Sequence, residues 1–104
     1  MAVFVVAYDV PRRAHPGLSD QLTRLGAVRA MASVWLLDWH GTAAQVRDLL
    51  STSNSDHFIF VAELTDNAMW AGSGMMPPSP TWLLQRVRRL DPRARSASSD
   101  DDGA

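Results

Sequence analysis

An apolar run near the N-terminus constrains the fold more than any other feature of this chain. Residues 2–9 (AVFVVAYD) are apolar up to the closing aspartate, and both alternating faces of the run are apolar. A strand with one face in water would alternate apolar and polar side chains. This run instead predicts a central strand, covered on one face and in part on the other.

Three later segments have the pattern of helices. Residues 17–25 carry leucine at three- and four-residue spacing and are followed by Gly26, as expected of a short helix that ends at a glycine. A second helix begins at the capping-box sequence of residues 42–45. A third is predicted from about residue 79 to about residue 90, because Ser79 resembles an N-cap and proline follows it at the first helical position.

Extended segments alternate with these helices. Residues 27–39 are too long for one strand and predict two strands that break near Ala32 or Ser33. Residues 57–64 (HFIFVAEL) predict another strand, with Phe58 and Phe60 on one face. The order β-α-β-β-α-β then predicts an α+β fold of the ferredoxin-like type, an antiparallel sheet with helices on one face and an additional C-terminal helix.

The length of 104 residues suits one domain, predicted here at residues 1–90. Residues 91–104 are rich in Ser and Asp and predict a disordered acidic tail. Two helices cover one face of the sheet, so the apolar residues of the other face need a cover. A second copy of the chain is the simplest one, which predicts a homodimer with Tyr8 and Trp35 at its interface.

Composition excludes several classes of function. The chain has no cysteine, hence no disulfide, no thiol nucleophile and no cysteine-based metal site. All ten basic residues are arginine, and without residues 97–104 they face eight acids, a charge of +2 that is mild for a dedicated nucleic-acid binder. No basic residue precedes the first apolar run and no apolar stretch is long enough for a membrane span, so we expect a cytoplasmic protein with no membrane partner.

Several short motifs match known proteins in their order along the chain. They are Val5-Val6-Ala7-Tyr8-Asp9, Leu25-Gly26, Ser33-Val34-Trp35 and Ala44-Gln45-Val46-Arg47-Asp48-Leu49. Together they resemble the CRISPR-associated protein 2 superfamily, to which virulence-associated protein D also belongs. Residues 62–65 and 68–72 resemble the SinR-like group of small bacterial proteins in particular, and the resemblance covers about residues 2–90.

The chain departs from that pattern in three places. Residues 74–78 form an insertion before the last helix, and Trp35 stands where the CRISPR-associated members usually have phenylalanine. The chain also ends in a predicted helix and an acidic tail, whereas those members often end in a strand that completes the partner's sheet. The last departure weakens any role in spacer acquisition.

The resemblance implies a role for Asp9. In superfamily members that cut nucleic acid, an aspartate at the end of the first strand is thought to hold a divalent metal. A dimer would bring two copies of Asp9 together, and their carboxylates with water could hold Mg²⁺. The alternative is that Asp9 caps the turn before Pro11. Ser33 is a second candidate catalytic residue, as a hydrogen-bond donor to metal-bound water or phosphate, with a satisfied turn hydroxyl as the alternative.

Arginines supply the candidate nucleic-acid contacts. Arg12 and Arg13 follow Asp9, and Arg86 and Arg89 belong to a basic stretch near the C-terminus. Arginine grips phosphate oxygens in pairs, although solvated loop and helix positions explain the same residues. The three histidines lack metal-ligand spacing, and the four tryptophans suit core and interface packing.

Two functions follow as expectations. One is a dimeric, non-enzymatic interaction or nucleic-acid-associated module in a defence or toxin–antitoxin context. The other is an Mg²⁺-dependent endoribonuclease in which Asp9 of two protomers holds the metal. The single candidate carboxylate and the mild charge favour the first.

Overall fold

A computed structural model describes residues 1–9, 17–54, 58–65 and 67–87 of the chain. These ranges form four strands and three helices, which confirms the predicted α+β class. In chain order they are β1 (Ala2–Asp9), α1 (Gly17–Arg24), β2 (Val28–Met31), β3 (Val34–Trp39), α2 (Ala43–Ser53), β4 (Phe58–Leu64) and α3 (Ser79–Leu84).

The four strands form one antiparallel sheet in the order β2-β3-β1-β4. The apolar run of β1 is a central strand, as predicted, and Val6 lies opposite Trp35 of β3 and Val61 of β4. The predicted break in the long extended segment is also confirmed, because β2 ends at Met31 and β3 begins at Val34.

Helices α1 and α2 cover one face of the sheet. Phe4 and Val6 of β1 pack there against Leu18 and Leu22 of α1 and against Leu50 of α2, and all five side chains are buried. Side chains along a strand point alternately to its two faces, and the even-numbered side chains of β1 point to this one. This is the larger of the two apolar cores.

The opposite face is partly covered by the C-terminal segment of the same chain. Leu83 of α3 and the following Val87 are buried against Val3 of β1 and Leu36 of β3. A second copy was the simplest cover expected for this face; α3 of the same chain buries its own apolar side on part of it, and the dimer stays a prediction. The other part, near the end of β1, keeps exposed apolar side chains.

Local sequence signals explain where the helices begin and end. The capping box of α2 is confirmed, since Gln45 N–H donates to Thr42 Oγ1 at 3.2 Å and Thr42 N–H donates to Gln45 Oε1 at 2.9 Å. Gly26 follows α1 with a φ of 83°, a left-handed conformation that glycine adopts without steric cost.

The third helix differs from its prediction. It comprises six residues, and Ser79 is its first helical residue, with Pro78 in the cap position. The Ser79 hydroxyl, which was expected to cap the helix, instead donates a hydrogen bond to the carbonyl of Met76 at 2.6 Å. The remainder of the predicted helix beyond residue 87 and the predicted tail at 91–104 lie outside the described residues. None of the described helices has the length and apolar content needed to cross a bilayer.

Substituting Leu22 by alanine tests the α1–sheet core. Leu22 is completely buried, and Leu22→Ala leaves a cavity that should lower the free energy of unfolding by about 2–5 kcal/mol. Urea denaturation followed by circular dichroism measures the change. Leu84→Ala is the matched control, because Leu84 is also helical but exposed, and it should cost far less. Equal losses in the two variants would contradict this account of the core.

Candidate functional site

Asp9 lies at the exposed end of the central strand. It is the last residue of β1, its side chain is exposed, and it pairs in register with Phe58 of β4. Because Val6 and Tyr8 point toward α1 and α2, Asp9 and Ala7 point to the opposite face. The carboxylate is therefore accessible on the half of that face which α3 leaves uncovered.

Ser33 is brought to the same end of the sheet. It lies in the turn between β2 and β3 and is half-buried, and its carbonyl accepts the Tyr8 N–H at 3.1 Å. This bond fixes the turn beside the end of β1. The backbone of Ser33 thus lies beside Tyr8, the residue that precedes Asp9, and a catalytic role of the two residues stays a prediction.

A preassembled metal site is not found in this protomer. Within the four described ranges, no three His, Asp or Glu side chains lie close enough together to hold a metal ion. Asp9 contributes one carboxylate, and Mg²⁺ takes the rest of its ligands from water or from further carboxylates. The structure does not describe the turn before Pro11, which Asp9 was alternatively expected to cap. It also does not describe the predicted nucleic-acid contacts Arg12, Arg13 and Arg89.

Tyr8 and Trp35 lie on the face opposite to the one predicted. Both side chains belong to the core beneath α1 and α2, and only 7% and 5% of their surfaces are exposed. The indole Nε1–H of Trp35 donates to the Tyr8 hydroxyl at 3.1 Å. The face assigned to them is corrected, because the register places Trp35 beside Val6, and little of either side chain is available to a partner.

Arg86 lies at the far end of the sheet from Asp9. Its Nε donates to Asp38 Oδ2 at 2.6 Å, and its guanidinium stacks 3.8 Å from the centre of the Trp82 ring. Asp38 pairs with Val3, so about six residues, or roughly 20 Å of extended chain, separate this ion pair from Asp9. The positive charge predicted to contact nucleic acid is here balanced by a carboxylate and helps to fasten the C-terminal segment to β3.

An apolar row crosses the whole sheet on the second face, at the end of β1. The register aligns Met31 with Val34 across an irregularity in β2, Val34 with Ala7, and Ala7 with Phe60; Val34 packs against the second core, whereas Met31 and Phe60 are exposed. We call these four residues the open row. They span three inter-strand spacings, about 14 Å.

Two phenylalanines make this surface unusual. Phe60 in the open row is 64% exposed, and its neighbour Phe58 is 74% exposed. Sequence reasoning placed both on one face of β4 but did not identify the row, because the register that joins four strands is a tertiary property. The available signal was phenylalanine at alternate positions of a strand in which the intervening residues are also apolar.

Comparison with known proteins leaves the site to be interpreted from its own geometry: no family model matches the chain, and no solved structure matches it.

A double-mutant cycle on Arg86 and Asp38 tests how α3 is held. The two side chains are 30% and 25% exposed, so we expect a coupling energy of about 1.5–3 kcal/mol, typical of a charged hydrogen bond. Thermal or urea unfolding of the two alanine variants and of the double variant measures it. The pair Arg47–Asp48 is the control: its side chains are 56% and 66% exposed, and its coupling should stay below about 1 kcal/mol. A coupling near zero for Arg86 and Asp38 would show that the ion pair does not fasten the segment.

Proposed function

We propose that the chain is a dimeric, ferredoxin-like domain of the CRISPR-associated protein 2 type, a cytoplasmic and non-enzymatic interaction or nucleic-acid-associated module in a defence or toxin–antitoxin context. The alternation β-α-β-β-α-β and the strand order β2-β3-β1-β4 support this type of fold. The motifs around Asp9, Ser33 and Trp35 support the resemblance to the superfamily.

The exposure of Phe60 in the open row and of the neighbouring Phe58 is the observation that carries the proposal of a dimer. A monomer in water leaves Phe58 and Phe60 mostly exposed, whereas a second copy would bury both in each protomer. The same surface meets itself across a two-fold axis, so every apolar side chain of one copy finds an apolar surface on the other. The C-terminal segment limits the size of this surface because it already covers the other half of the face.

The preference for a non-enzymatic role rests on the sequence, in which Asp9 is the single candidate catalytic carboxylate. Metal-dependent cleavage of a phosphodiester requires a held cation, and Mg²⁺ takes several oxygen ligands. The mild charge of the chain likewise supports an accessory association with nucleic acid, to which Arg12, Arg13 and Arg89 remain the predicted contributors.

A Mg²⁺-dependent ribonuclease is the second candidate, and one observation favours it. Asp9 is exposed on the same face as the open row, next to Phe58. In a dimer formed through this face, a two-fold axis close to Phe58 would bring the two copies of Asp9 together, whereas an axis close to Met31 would separate them. Bound Mg²⁺ would supply the polarisation of phosphate and the activation of water.

The double variant Phe58→Ser/Phe60→Ser tests the dimer. Sedimentation equilibrium should show a dimer for the wild type, and the dissociation constant of the variant should rise by about tenfold or more, equivalent to 1.4 kcal/mol. Met69→Ser is the control, because Met69 is also exposed but lies outside the open row. A wild-type protein that stays monomeric at its highest soluble concentration would refute the dimer.

The variant Asp9→Asn tests the choice between the two functions. We expect no Mg²⁺- or Mn²⁺-dependent cleavage of short RNA or DNA by the wild type, and the same background for Asp9→Asn and for samples in EDTA. Dimerisation measured in parallel shows that the samples are assembled. Metal-dependent cleavage that disappears in Asp9→Asn would establish the ribonuclease and overturn the non-enzymatic proposal.

A further inference from the structure

Arg29 lies on an edge strand of the sheet and is held in place by an aromatic ring of the neighbouring strand. It belongs to β2, an outer strand of the sheet, and pairs in register with Trp35 of β3. Its guanidinium carbon lies 5.0 Å from the centre of the Trp35 ring, within the range of a cation–π contact. The ring is itself fixed, because its Nε1–H donates to the Tyr8 hydroxyl at 3.1 Å inside the core.

The charge of Arg29 has no counter-charge in the described part of the chain. Arg47 and Arg86 each pair with an aspartate, at 2.8 Å and 2.6 Å, whereas Arg29 makes no ion pair with a described carboxylate. Its Nε is buried and has no hydrogen-bond acceptor among the residues that the structure describes. This residue therefore presents a half-buried positive charge that has no anion among the described residues.

The guanidinium is held in this position at a cost. A buried donor without an acceptor destabilises the fold, and unsatisfied buried groups are rare in native proteins. The ring of Trp35 attracts the cation but accepts no conventional hydrogen bond from the N–H groups of the planar guanidinium, which we call its fork. An oxyanion placed against the terminal amino groups of the guanidinium would supply the counter-charge and acceptors for those groups, whereas the buried Nε is out of its reach.

We propose that Arg29 is the centre of a phosphate-binding position on the helix-covered side of the β2 edge, with Trp35 and Tyr8 as positioning residues. Phosphate is the oxyanion assigned because the planar guanidinium can bind two of its oxygens and because the proposed function includes association with nucleic acid. Arg29 shares its face with Trp35, which lies under α1 and α2, so this position is on the face opposite to the open row. Phosphate binding and dimerisation can therefore occur together. The inference deepens the proposed association with nucleic acid but stands or falls on phosphate recognition itself.

Titration with inorganic phosphate, followed by heteronuclear NMR of side-chain N–H groups, tests the proposal on the full-length protein. The Arg29 Nε–H and the Trp35 indole N–H resonances should shift in a saturable way, with a chloride titration at equal ionic strength as the reference. The shift of the indole should vanish in Arg29→Gln and weaken in Arg29→Lys, which keeps the charge but loses the fork. Arg24→Gln should leave the titration unchanged.

Arg24 is a suitable control because it lies in the same β1–α1–β2 part of the fold, is exposed, and has no ion pair with a described residue. The substitution removes the same charge without touching the ring. Equal loss of phosphate binding in Arg24→Gln and Arg29→Gln would mean that only the general charge matters and would overturn the proposal. Absence of any saturable shift in the wild type would overturn it as well.

A second titration, with a short fluorescently labelled single-stranded RNA, identifies the source of the phosphate. If a phosphodiester backbone is the ligand, Arg29→Gln should weaken RNA binding several-fold and reduce the slope of log K against log salt by about 0.7, the value for one phosphate contact on a single strand. Unchanged RNA binding together with lost inorganic phosphate binding supports a free phosphate or phosphomonoester. Arg29→Gln could also lose RNA binding because it loses the dimer, while it still binds inorganic phosphate. That outcome would place Arg29 at an interface and would overturn the proposal.

The phosphate result is independent of the proposed function. A wild type that is monomeric but still shows the saturable Arg29 shift would refute the dimer and leave the phosphate position standing. A stable dimer in which the Arg29 resonance does not shift would refute the phosphate position and leave the dimer standing. Tyr8→Phe adds a test of positioning, because it removes the hydrogen bond to Trp35 and should weaken phosphate binding while the fork of Arg29 remains.

Discussion

Burial of β1 on both of its faces is the constraint on which the rest of the structure depends. The strand is paired on both edges, with β3 and β4, so its backbone groups are satisfied within the sheet. Its side chains then require apolar cover above and below. One side receives α1 and α2 over Phe4 and Val6, and the other receives α3 over Val3. Every other element is positioned by this requirement.

The two sides are covered unequally, and that inequality produces the candidate interface. Two helices close the first core completely, with Leu22 and Leu50 fully buried. The C-terminal segment is shorter and is anchored at the Val3 end by the Asp38–Arg86 ion pair, so the end of the sheet near Asp9 keeps its exposed phenylalanines. A surface of this kind is typical of a site that another molecule covers.

The two faces of the sheet thereby offer different chemistry. The open row is apolar and suits a second copy of the chain. At the edge of the helix-covered face, the hydrogen bond from Trp35 to Tyr8 orients the indole ring, and the ring in turn orients the guanidinium of Arg29. A protein that uses one face for self-association and the opposite side for an anion needs no movement between the two, because the sheet separates them.

The sequence by itself determined the elements, since their signals are local. The apolar run of β1, the capping box at Thr42, the glycine after α1 and the break between Met31 and Val34 each act through a few neighbouring residues, and all four were predicted correctly. Asp9 and Ser33 were named as candidates from short motifs alone, and the structure adds that the Ser33 carbonyl accepts the N–H of Tyr8, the residue before Asp9.

Tertiary structure decided which face each residue occupies and what covers it. A shift of one residue in register exchanges the two faces of a strand, which is why Trp35 was assigned to the wrong face. The fold also decided that Arg86 is paired, whereas Arg29 has no ion pair within the part of the chain that the structure describes; Asp38 is 48 residues away from Arg86 in the chain. The open row joins residues from four strands, and no local pattern contains that arrangement.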